Sequence, residues 1–202
     1  MKKSIGISLM TAGLLLLSLA MGLAVRNEME VKAGGEQAEQ ALAQMYTKTR
    51  QRTEGAETEP SAPMSLPGPA KELPVVEISG YGYIGHLSIP SLERELPVMD
   101  HWSYPRLQKA PCRQLGTTAE QMVIAGHNYP THFGGLRDLQ PGDPLIFTDM
   151  DGDTTHYTVQ TVRVIEPEDS GLLTEGSWDL ILYTCTYGGK HRIFVGCGLT
   201  VS

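Results

Sequence analysis

Three side chains near the ends of apolar segments could together carry out acyl transfer: a thiol, an imidazole and a guanidinium. Cys185 follows the apolar residues 180–183 and precedes a Gly-Gly turn. His127 follows the apolar residues 122–125, and Arg192 opens the last apolar segment of the chain. A deprotonated thiol is a strong nucleophile, a histidine can move protons, and a guanidinium can stabilise negative charge. The combination predicts nucleophilic catalysis through Cys185.

Each of these residues also has a purely structural interpretation. A cysteine among apolar residues is more often an inert core residue, and a lone histidine or arginine at a strand end is more often structural or solvated. The spacing favours function, because a hairpin turn between Cys185 and Arg192 would place the two residues opposite each other on paired strands. His191 is adjacent to Arg192 and would point to the other face of the strand, so His127 is the better candidate for the proton donor.

The elements that must position these residues are short and mostly extended. Apolar segments bounded by turn residues lie at 84–89, 95–99, 121–125, 144–148, 156–165, 179–184 and 192–200. Asp151-Gly152 predicts a hairpin turn, and residues 136–139 predict a helical turn. Seven or so short strands with few helical stretches predict an all-β barrel or sandwich.

A run of acidic residues has two interpretations, a calcium-binding site and a hairpin turn. Asp149, Asp151 and Asp153 alternate along the chain, and carboxylate oxygens suit that cation. No Glu stands where an EF-hand loop requires one, and Asp-Gly is an ordinary hairpin turn. We therefore interpret the run as a turn and expect no metal or other cofactor, with calcium as the unsupported alternative.

The N-terminus predicts a membrane anchor. Two lysines precede residues 5–25, which carry no charged side chain. As a helix this run spans the roughly 30 Å hydrocarbon layer, and the charges on either side favour a cytoplasmic N-terminus with the rest outside the cell. The alternative is a cleaved signal peptide with a cleavage site at Gly22-Leu23-Ala24, although the apolar run is longer than usual for one.

Composition divides the chain into three parts. Residues 1–26 form the predicted anchor, residues 27–78 a polar region and residues 79–202 the β domain. The polar region begins with a short exposed helix at 36–51 and continues as a Pro-rich linker, which favours an extended stalk. The net charge of −7 offers no basic surface for nucleic acid.

The odd number of cysteines predicts at least one unpaired thiol in the exported part. Cys197 lies an odd number of residues from Arg192, so it should point away from that side chain as a small buried residue. Cys112 lies in a loop-like stretch, where a disulfide is the alternative to a free thiol.

The same residues resemble the signatures of sortases. Gly126-His127-Asn128, then Thr184-Cys185, then Arg192 before a terminal apolar strand match the His, Thr-Cys and Arg signatures of that family in order and spacing. The resemblance covers residues 83–201. The family pattern Thr-Leu-x-Thr-Cys has Ile181 in place of its first Thr, which leaves the subclass open. The Pro-rich linker lacks the Asp-Pro-aromatic triplet of a class C lid, so class D or a related small class fits best.

The resemblance implies a closed β-barrel of about eight strands with a groove that leads to Cys185. It implies a membrane-anchored cysteine transpeptidase of Gram-positive bacteria. Such an enzyme cleaves a Leu-Pro-x-Thr-Gly-type sorting signal between Thr and Gly, holds the product as a thioester and transfers it to an amine of peptidoglycan or a pilin. Thr184 would then bind substrate or position Arg192, and Asn128 and Tyr187 would line the groove.

Two other functions fit parts of this pattern. An exported β module that binds the cell wall would explain the fold without catalysis. A cysteine hydrolase without transfer activity would use the same residues but release the product to water. Labelling of Cys185 and the effect of an added amine distinguish the three functions.

Overall fold

The structure is a computed structural model that describes residues 2–55, 72–169, 171 and 178–200. Within these ranges it contains a long N-terminal helix, a short helix, two 3₁₀ turns and nine β-strands. The helices are α1 (Lys2–Gly55) and α2 (Tyr104–Leu107), and the 3₁₀ turns are Pro90–Leu92 and Leu136–Asp138. The strands are β1 (Val76–Ile78), β2 (Tyr81–Ile89), β3 (Arg94–Met99), β4 (Cys112–Leu115), β5 (Met122–Ala125), β6 (Pro144–Asp149), β7 (Thr154–Ile165), β8 (Leu180–Cys185) and β9 (Arg192–Leu199).

Eight of the strands close into a barrel. The order runs β2-β3-β4-β5-β8-β9-β7-β6, and β6 pairs back onto β2 through residues 85–88 of that strand. The strand β1 pairs with the beginning of β2 outside this ring. The pairs β3–β4 and β5–β8 are parallel, whereas the others are antiparallel. The predicted all-β closed barrel of about eight strands with short helical turns is therefore confirmed.

Closure of the barrel requires a glycine in β2. Gly85 has φ +151°, and a Cβ atom at this position would lie 2.1 Å from the carbonyl oxygen of Thr148 on β6. The β2–β3 register also shifts between Tyr83 and Gly85. The bend at this glycine allows one strand to pair with β3 and β6 together.

The barrel interior forms one apolar core. Alternate residues of the strands enter it, as the two-residue period of a strand requires. Leu180 and Leu182 of β8 and Val195 of β9 are among its fully buried members, whereas Ile181 belongs to a smaller cluster on the outer face. This alternation decides which site residues face the interior and which face outward.

The structure contains strands at all seven predicted segments and two strands that the sequence did not predict. β1 and Leu73, which packs into the barrel core, come from the end of the predicted linker. The stretch around Cys112 was predicted as a loop but forms β4. Its residues Arg113 and Gln114 are polar, so the segment lacks the apolar run that indicates a strand. The hairpin at Asp151-Gly152 joins β6 to β7 as predicted.

The helix α1 is continuous from the apolar N-terminal segment to the barrel. The prediction of a short exposed helix is wrong in its exposure, because Ala38, Ala41 and Met45 are buried. Ala41 and Met45 pack into a cluster with residues of β1 to β4 on the outside of the barrel. Lys48 Nζ donates to the carbonyl of Glu77 at 2.6 Å beside them. The low apolar content of this segment concealed a narrow face of small residues and methionine.

Among the described residues, α1 is the one helix that is long and apolar enough to cross a membrane, and its most apolar stretch is not buried by the rest of the chain. This finding agrees with the predicted anchor at residues 5–25. Most of the predicted Pro-rich stalk lies at residues 56–71, outside the described residues.

Candidate active site

The parallel pairing of β5 with β8 brings the candidate thiol and imidazole to one end of the barrel. The two strands stay in register to the end of β5, where Ala125 lies opposite Tyr183. The N–H of Gly126 donates to the carbonyl of Tyr183 at 3.0 Å and extends the pairing by one residue. Cys185 and His127 each lie two residues beyond the Ala125–Tyr183 pair, and Cys185 is the last residue of β8. Because parallel strands end at the same edge, both residues lie at the same rim of the barrel.

The thiol and the guanidinium belong to directly opposed residues. β8 and β9 are antiparallel, and Cys185 lies opposite Arg192 at the last position of the pairing. The turn between them is closed by a hydrogen bond from the N–H of Thr186 to the carbonyl of His191 at 2.9 Å. Directly opposed residues extend their side chains on the same face of a sheet. The predicted register of Cys185 and Arg192 is therefore confirmed.

Arg192 is held beside the turn by backbone carbonyls. Its Nη1 donates to the carbonyl oxygens of Gly189 and His191, each at 3.1 Å. Gly188 and Gly189 have φ +88° and +74°, a region that other residues adopt at a cost, so the turn depends on the Gly-Gly pair. The turn thus fixes a cation on the strand opposite the thiol.

Tyr183 shares the outer face of β8 with Cys185. It packs against the outer apolar cluster, and its hydroxyl donates to the side chain of Gln114 on β4. Burial raises the pKa of Tyr183, whereas the charge of Arg192 lowers it and negative charge on Cys185 raises it. Arg192 and Cys185 thus act in opposite directions on the phenol.

His127 begins the loop that follows β5 and is half-buried. Its ring stacks on Tyr129, with the ring centroids 3.8 Å apart and the planes inclined by 25°. Its Nδ1 is buried without a hydrogen-bond partner among the described residues. Loss of hydration lowers the pKa of His127, and this effect is opposed by the side chain of Asn128 and by the negative charge of Glu30. Burial thus disfavours the protonated imidazole relative to an exposed histidine.

The loops that carry the imidazole and the thiol are joined by Asn128. Its Nδ2 donates to the carbonyl of Thr186 at 3.3 Å. Within its own loop, Phe133 donates its N–H to the carbonyl of His127 at 3.0 Å. Gly126 permits this fold, because a Cβ there would lie 2.2 Å from the ring of Phe133. The backbone around His127 is therefore tied both to itself and to the loop after Cys185.

A cleft of about 550 Å³ opens beside Cys185. Thr184, Cys185, Asn128 and Tyr187 contribute to its walls, whereas His127 and Arg192 are not among the described residues that line it. The volume lies in the range of small-ligand and peptide sites. Tyr187 is fully exposed at the margin of the cleft. All three residues predicted for substrate binding thus border one cleft with the thiol.

Thr184 faces the other side of β8 from the thiol. Its side chain is 2% exposed, and its Oγ1 has no hydrogen-bond partner among the described residues. Its cross-strand neighbour is Ile193, whereas Arg192 is opposite Cys185. This geometry disfavours the expectation that Thr184 positions Arg192. Thr184 borders the cleft, so substrate binding stays its predicted role.

Three other histidines are either paired with a carboxylate or buried. His191 Nδ1 lies 3.1 Å from Glu166 Oε2, which agrees with its predicted direction away from the thiol. His86 Nε2 lies 3.1 Å from Glu95 Oε1 on β3. His132 belongs to the same loop as His127 but is 1% exposed. His127 therefore remains the candidate imidazole for this rim of the barrel.

Cys112 and Cys197 are free thiols that are fully buried. Burial raises the pKa of each to about 12. Cys197 lies in the interior core and points away from Arg192, as predicted. Neither thiol shares the environment of Cys185, which is also free but partly exposed.

The acidic run at the β6–β7 turn is organised by backbone hydrogen bonds. Asp149 Oδ1 accepts the N–H groups of Asp151 and Asp153, each at 2.9 Å. Within the described residues, no group of three or more His, Cys, Asp or Glu side chains is placed to hold a metal ion. The geometry is that of the hairpin turn that the sequence predicts.

Two tyrosines near the site were not identified from the sequence. Tyr129 stacks on His127, and Tyr183 lies two residues before Cys185 on the same face of β8. The even spacing of Tyr183 and Cys185 along a strand was a usable signal. Tyr129 lies in an irregular loop, so no periodicity could have indicated its contact.

The fold is a closed eight-stranded barrel that carries a thiol, an imidazole and a guanidinium at one rim. Residues 87–200 match the family described as Sortase domain, and the chain belongs to the sortase family. No curated protein matches the chain.

Solved structures agree with this assignment. Sortase A from Corynebacterium diphtheriae is 28% identical with a TM-score of 0.55, over 60% of this chain and 62% of its own. The chain thus spans somewhat less than two thirds of that sortase. Sortase C1 from Streptococcus suis is 26% identical with a TM-score of 0.53, over 59% of this chain and 74% of its own. A sortase D5 transpeptidase from Clostridium perfringens is 22% identical with a TM-score of 0.53, over 59% of this chain and 79% of its own, and shares the fold.

Proposed function

We propose that this protein is a membrane-anchored cysteine transpeptidase that joins sorting-signal-bearing surface proteins to an amine. The observation that carries the proposal is the direct opposition of Cys185 and Arg192, with His127 at the same rim of the barrel. Membership of the sortase family supports the same reaction. The proposed substrate is a C-terminal signal of the Leu-Pro-x-Thr-Gly type, and the acceptor is an amine of peptidoglycan or of a pilin.

The first half of the reaction forms a thioester. The Cys185 thiolate attacks the carbonyl carbon between Thr and Gly, and the carbonyl π electrons move to oxygen. Arg192 stabilises this oxyanion because its guanidinium is a permanent cation with several donors. The C–N bond then breaks, and His127 in its protonated form gives its proton to the leaving amine. The products are an acyl-enzyme thioester and a free N-terminal glycine.

The second half reverses these roles. The acceptor amine attacks the thioester carbonyl, and neutral His127 takes the proton that the amine loses. The tetrahedral intermediate collapses and expels the Cys185 thiolate. A new amide bond replaces the thioester, and the enzyme returns to its starting state. The reaction needs no cofactor in this scheme, so chelation of divalent cations by EDTA should leave the rate unchanged.

Peptide turnover tests the proposal directly. The full chain is incubated with a Thr-Gly sorting peptide, with and without triglycine as the amine, and the products are identified by mass spectrometry. We expect a thioester adduct on Cys185 and an amide product that requires triglycine. Products that are the same with and without triglycine would assign a hydrolase. Absence of any adduct or cleavage with a panel of sorting peptides would favour the cell-wall-binding module.

The proposed location is the cell membrane, with one spanning segment and the barrel outside the cell. The apolar part of α1 supports it. The two lysines at the N-terminus favour the cytoplasm for that end.

A further inference from the structure

The helix α1 comes into close backbone contact with the loop that carries the candidate imidazole. A Cβ atom at Gly34 would lie 2.8 Å from the carbonyl oxygen of Gln108 and 3.4 Å from Cε1 of His132. A Cβ atom at Gly35 would lie 3.0 Å from Cγ2 of Thr131. The glycines therefore permit an approach that larger residues would prevent.

Tyr129 connects this contact to His127. The tyrosine is 6% exposed and stacks on the imidazole, with 3.8 Å between centroids. It also lies 5.5 Å from the ring of His132. On the side toward α1, Tyr129 borders a small cavity together with Glu30 and Gly34. The phenol ring thus stands between the helix and the imidazole.

Polar contacts hold the same part of the helix in place. Lys109 Nζ donates to Gln37 Oε1 at 3.0 Å, one helical turn after Gly34. The first described residues of α1 are those of the apolar N-terminal segment, and the helix has no break between that segment and Gly34. The segment predicted to anchor the protein and the surface that supports the His127 loop are therefore parts of one helix.

We propose that the docking of α1 at Gly34 and Gly35 fixes the orientation of the His127 ring, with Tyr129 as the positioning residue between them. This inference rests on the proposed function, because it assigns the contact a role in proton transfer by His127. In this scheme α1 is part of the catalytic unit as well as the anchor. A stacked ring of fixed orientation satisfies the geometric demand of proton transfer, which tolerates little displacement.

The environment of His127 supplies a readout that is independent of turnover. The titratable groups that face it include Glu30 from α1 and His132 from its own loop. Loss of hydration lowers the pKa of His127 in the docked arrangement. Release of the helix or removal of the Tyr129 ring hydrates the imidazole, and its pKa should then rise toward the ordinary value.

The test uses the full chain in lipid nanodiscs, with histidine labelled at ¹³Cε1 and the His127 signal assigned by its loss in His127→Gln. Gly34→Leu should displace the helix, whereas Gly22→Leu is the matched control, because nothing lies within 4 Å of a Cβ at that position. We expect Gly34→Leu to raise the pKa of His127 and to lower kcat roughly tenfold with little change in KM. Gly22→Leu should match the wild type in both.

A second pair of variants tests the stacked ring itself. Tyr129→Ala should reproduce the pKa rise and the fall in kcat, and Tyr129→Phe should restore both because it keeps the aromatic face. If the His127 titration in Gly34→Leu and Tyr129→Ala equals that of the wild type, the inference is overturned whatever the activity. Wild-type turnover in His127→Gln would instead contradict the proposed role of His127 as proton donor, and the titration would still report whether the helix orients the ring.

Discussion

At the scale of single residues, the three cysteines of this chain occupy different environments. Cys185 is partly exposed at the barrel rim, directly opposite Arg192 and next to a cleft. Cys112 and Cys197 are completely buried among apolar side chains. Since only an accessible thiolate reacts well, the difference in environment translates into a difference in reactivity.

We expect iodoacetamide to label Cys185 in the native protein and to leave the two buried thiols unmodified. The pKa of each buried thiol is raised to about 12, so neither forms a thiolate near neutral pH. The rate difference should be on the order of 100-fold or more. Peptide mapping by mass spectrometry after short exposure measures it. Equal labelling of all three thiols in the folded protein would contradict the environment assigned to Cys185.

The position of Arg192 predicts that a positive charge alone is not sufficient for its proposed role in stabilising the oxyanion. Arg192→Lys keeps the cation but loses the planar set of donors that can hold both the turn carbonyls and an oxyanion. We expect kcat/KM to fall by roughly 100-fold, as for loss of one oxyanion donor. Arg163→Lys on the exposed surface of β7 is the control and should behave as the wild type. Full activity of Arg192→Lys would remove the donor geometry from the mechanism.

At the scale of elements, the site depends on how strand ends and loops meet. The short sequence distance between Cys185 and Arg192 made their pairing predictable, because a tight turn fixes the register of a hairpin. The partnership of β5 and β8 was not predictable in the same way. These strands are parallel neighbours separated by more than fifty residues of chain, and only the closed barrel brings them together. The resemblance to the sortase signatures identifies His127 as the partner of Cys185, because no local pattern links the two residues.

The link between the His127 and Cys185 loops can be tested through one amide. Asn128 Nδ2 donates to the carbonyl of Thr186, so Asn128→Asp keeps the shape and removes the donor. We expect kcat to fall about tenfold as the two loops lose their fixed separation. The loss in free energy of unfolding should be only about 1 kcal/mol, that of one hydrogen bond. Kinetics and urea unfolding on the same preparation separate the two effects, and a large fall in stability without a kinetic effect would make Asn128 purely structural.

The contact between α1 and the His127 loop also makes stability depend on pH. Burial lowers the pKa of His132 from an ordinary 6.5 to about 4. Above pH 6.5 the histidine is neutral in both the folded and the unfolded chain, so it contributes no pH dependence there. As the pH falls from about 6.5 toward 4, the unfolded chain binds a proton that the folded chain does not, and folding becomes less favourable.

Between about pH 7 and pH 5 this histidine alone should reduce the free energy of unfolding by about 2 kcal/mol. Urea unfolding at the two pH values measures the change in wild type and in His132→Gln. The variant should have a smaller pH dependence than the wild type. An unchanged pH dependence in His132→Gln would mean that His132 is protonated in the folded protein.

At the scale of the whole molecule, the sequence predicts the barrel better than its contact with α1. Seven segments with short apolar runs indicate strands, because most strands of a barrel contain such a run of neighbouring residues. The docking of α1 produces no apolar run in the sequence. Its buried face consists of small residues such as Gly34 and Ala41 among charged and amide side chains. Their burial results from a long-range contact. The composition of residues 27–78 therefore predicts an exposed helix and a linker, whereas the structure packs the helical part against the barrel.

The continuity of α1 leads to a last prediction about the mature protein. If the apolar segment were removed as a signal peptide after Ala24, the chain would begin nine residues before Gly34 and the docked part of α1 would be a free helix end. Retention of the segment instead keeps Gly34 about 14 Å beyond Val25 along one continuous helix, at 1.5 Å per residue. The His127 loop would then lie close to the membrane surface, where a substrate or acceptor held in the bilayer could reach the cleft.

We therefore expect the mature protein to retain its N-terminal segment and to resist extraction by alkaline carbonate. Intact-mass measurement after membrane isolation distinguishes an N-terminus at or near Met1 from one that follows Ala24. Leu15→Arg places a charge near the middle of the apolar segment at a cost of about 3 kcal/mol and should shift the protein toward the soluble fraction, whereas Leu15→Ile should not. A mature chain that begins after Ala24 would contradict the expected retention of the segment. The contact at Gly34 would then have to be stable without the preceding helix.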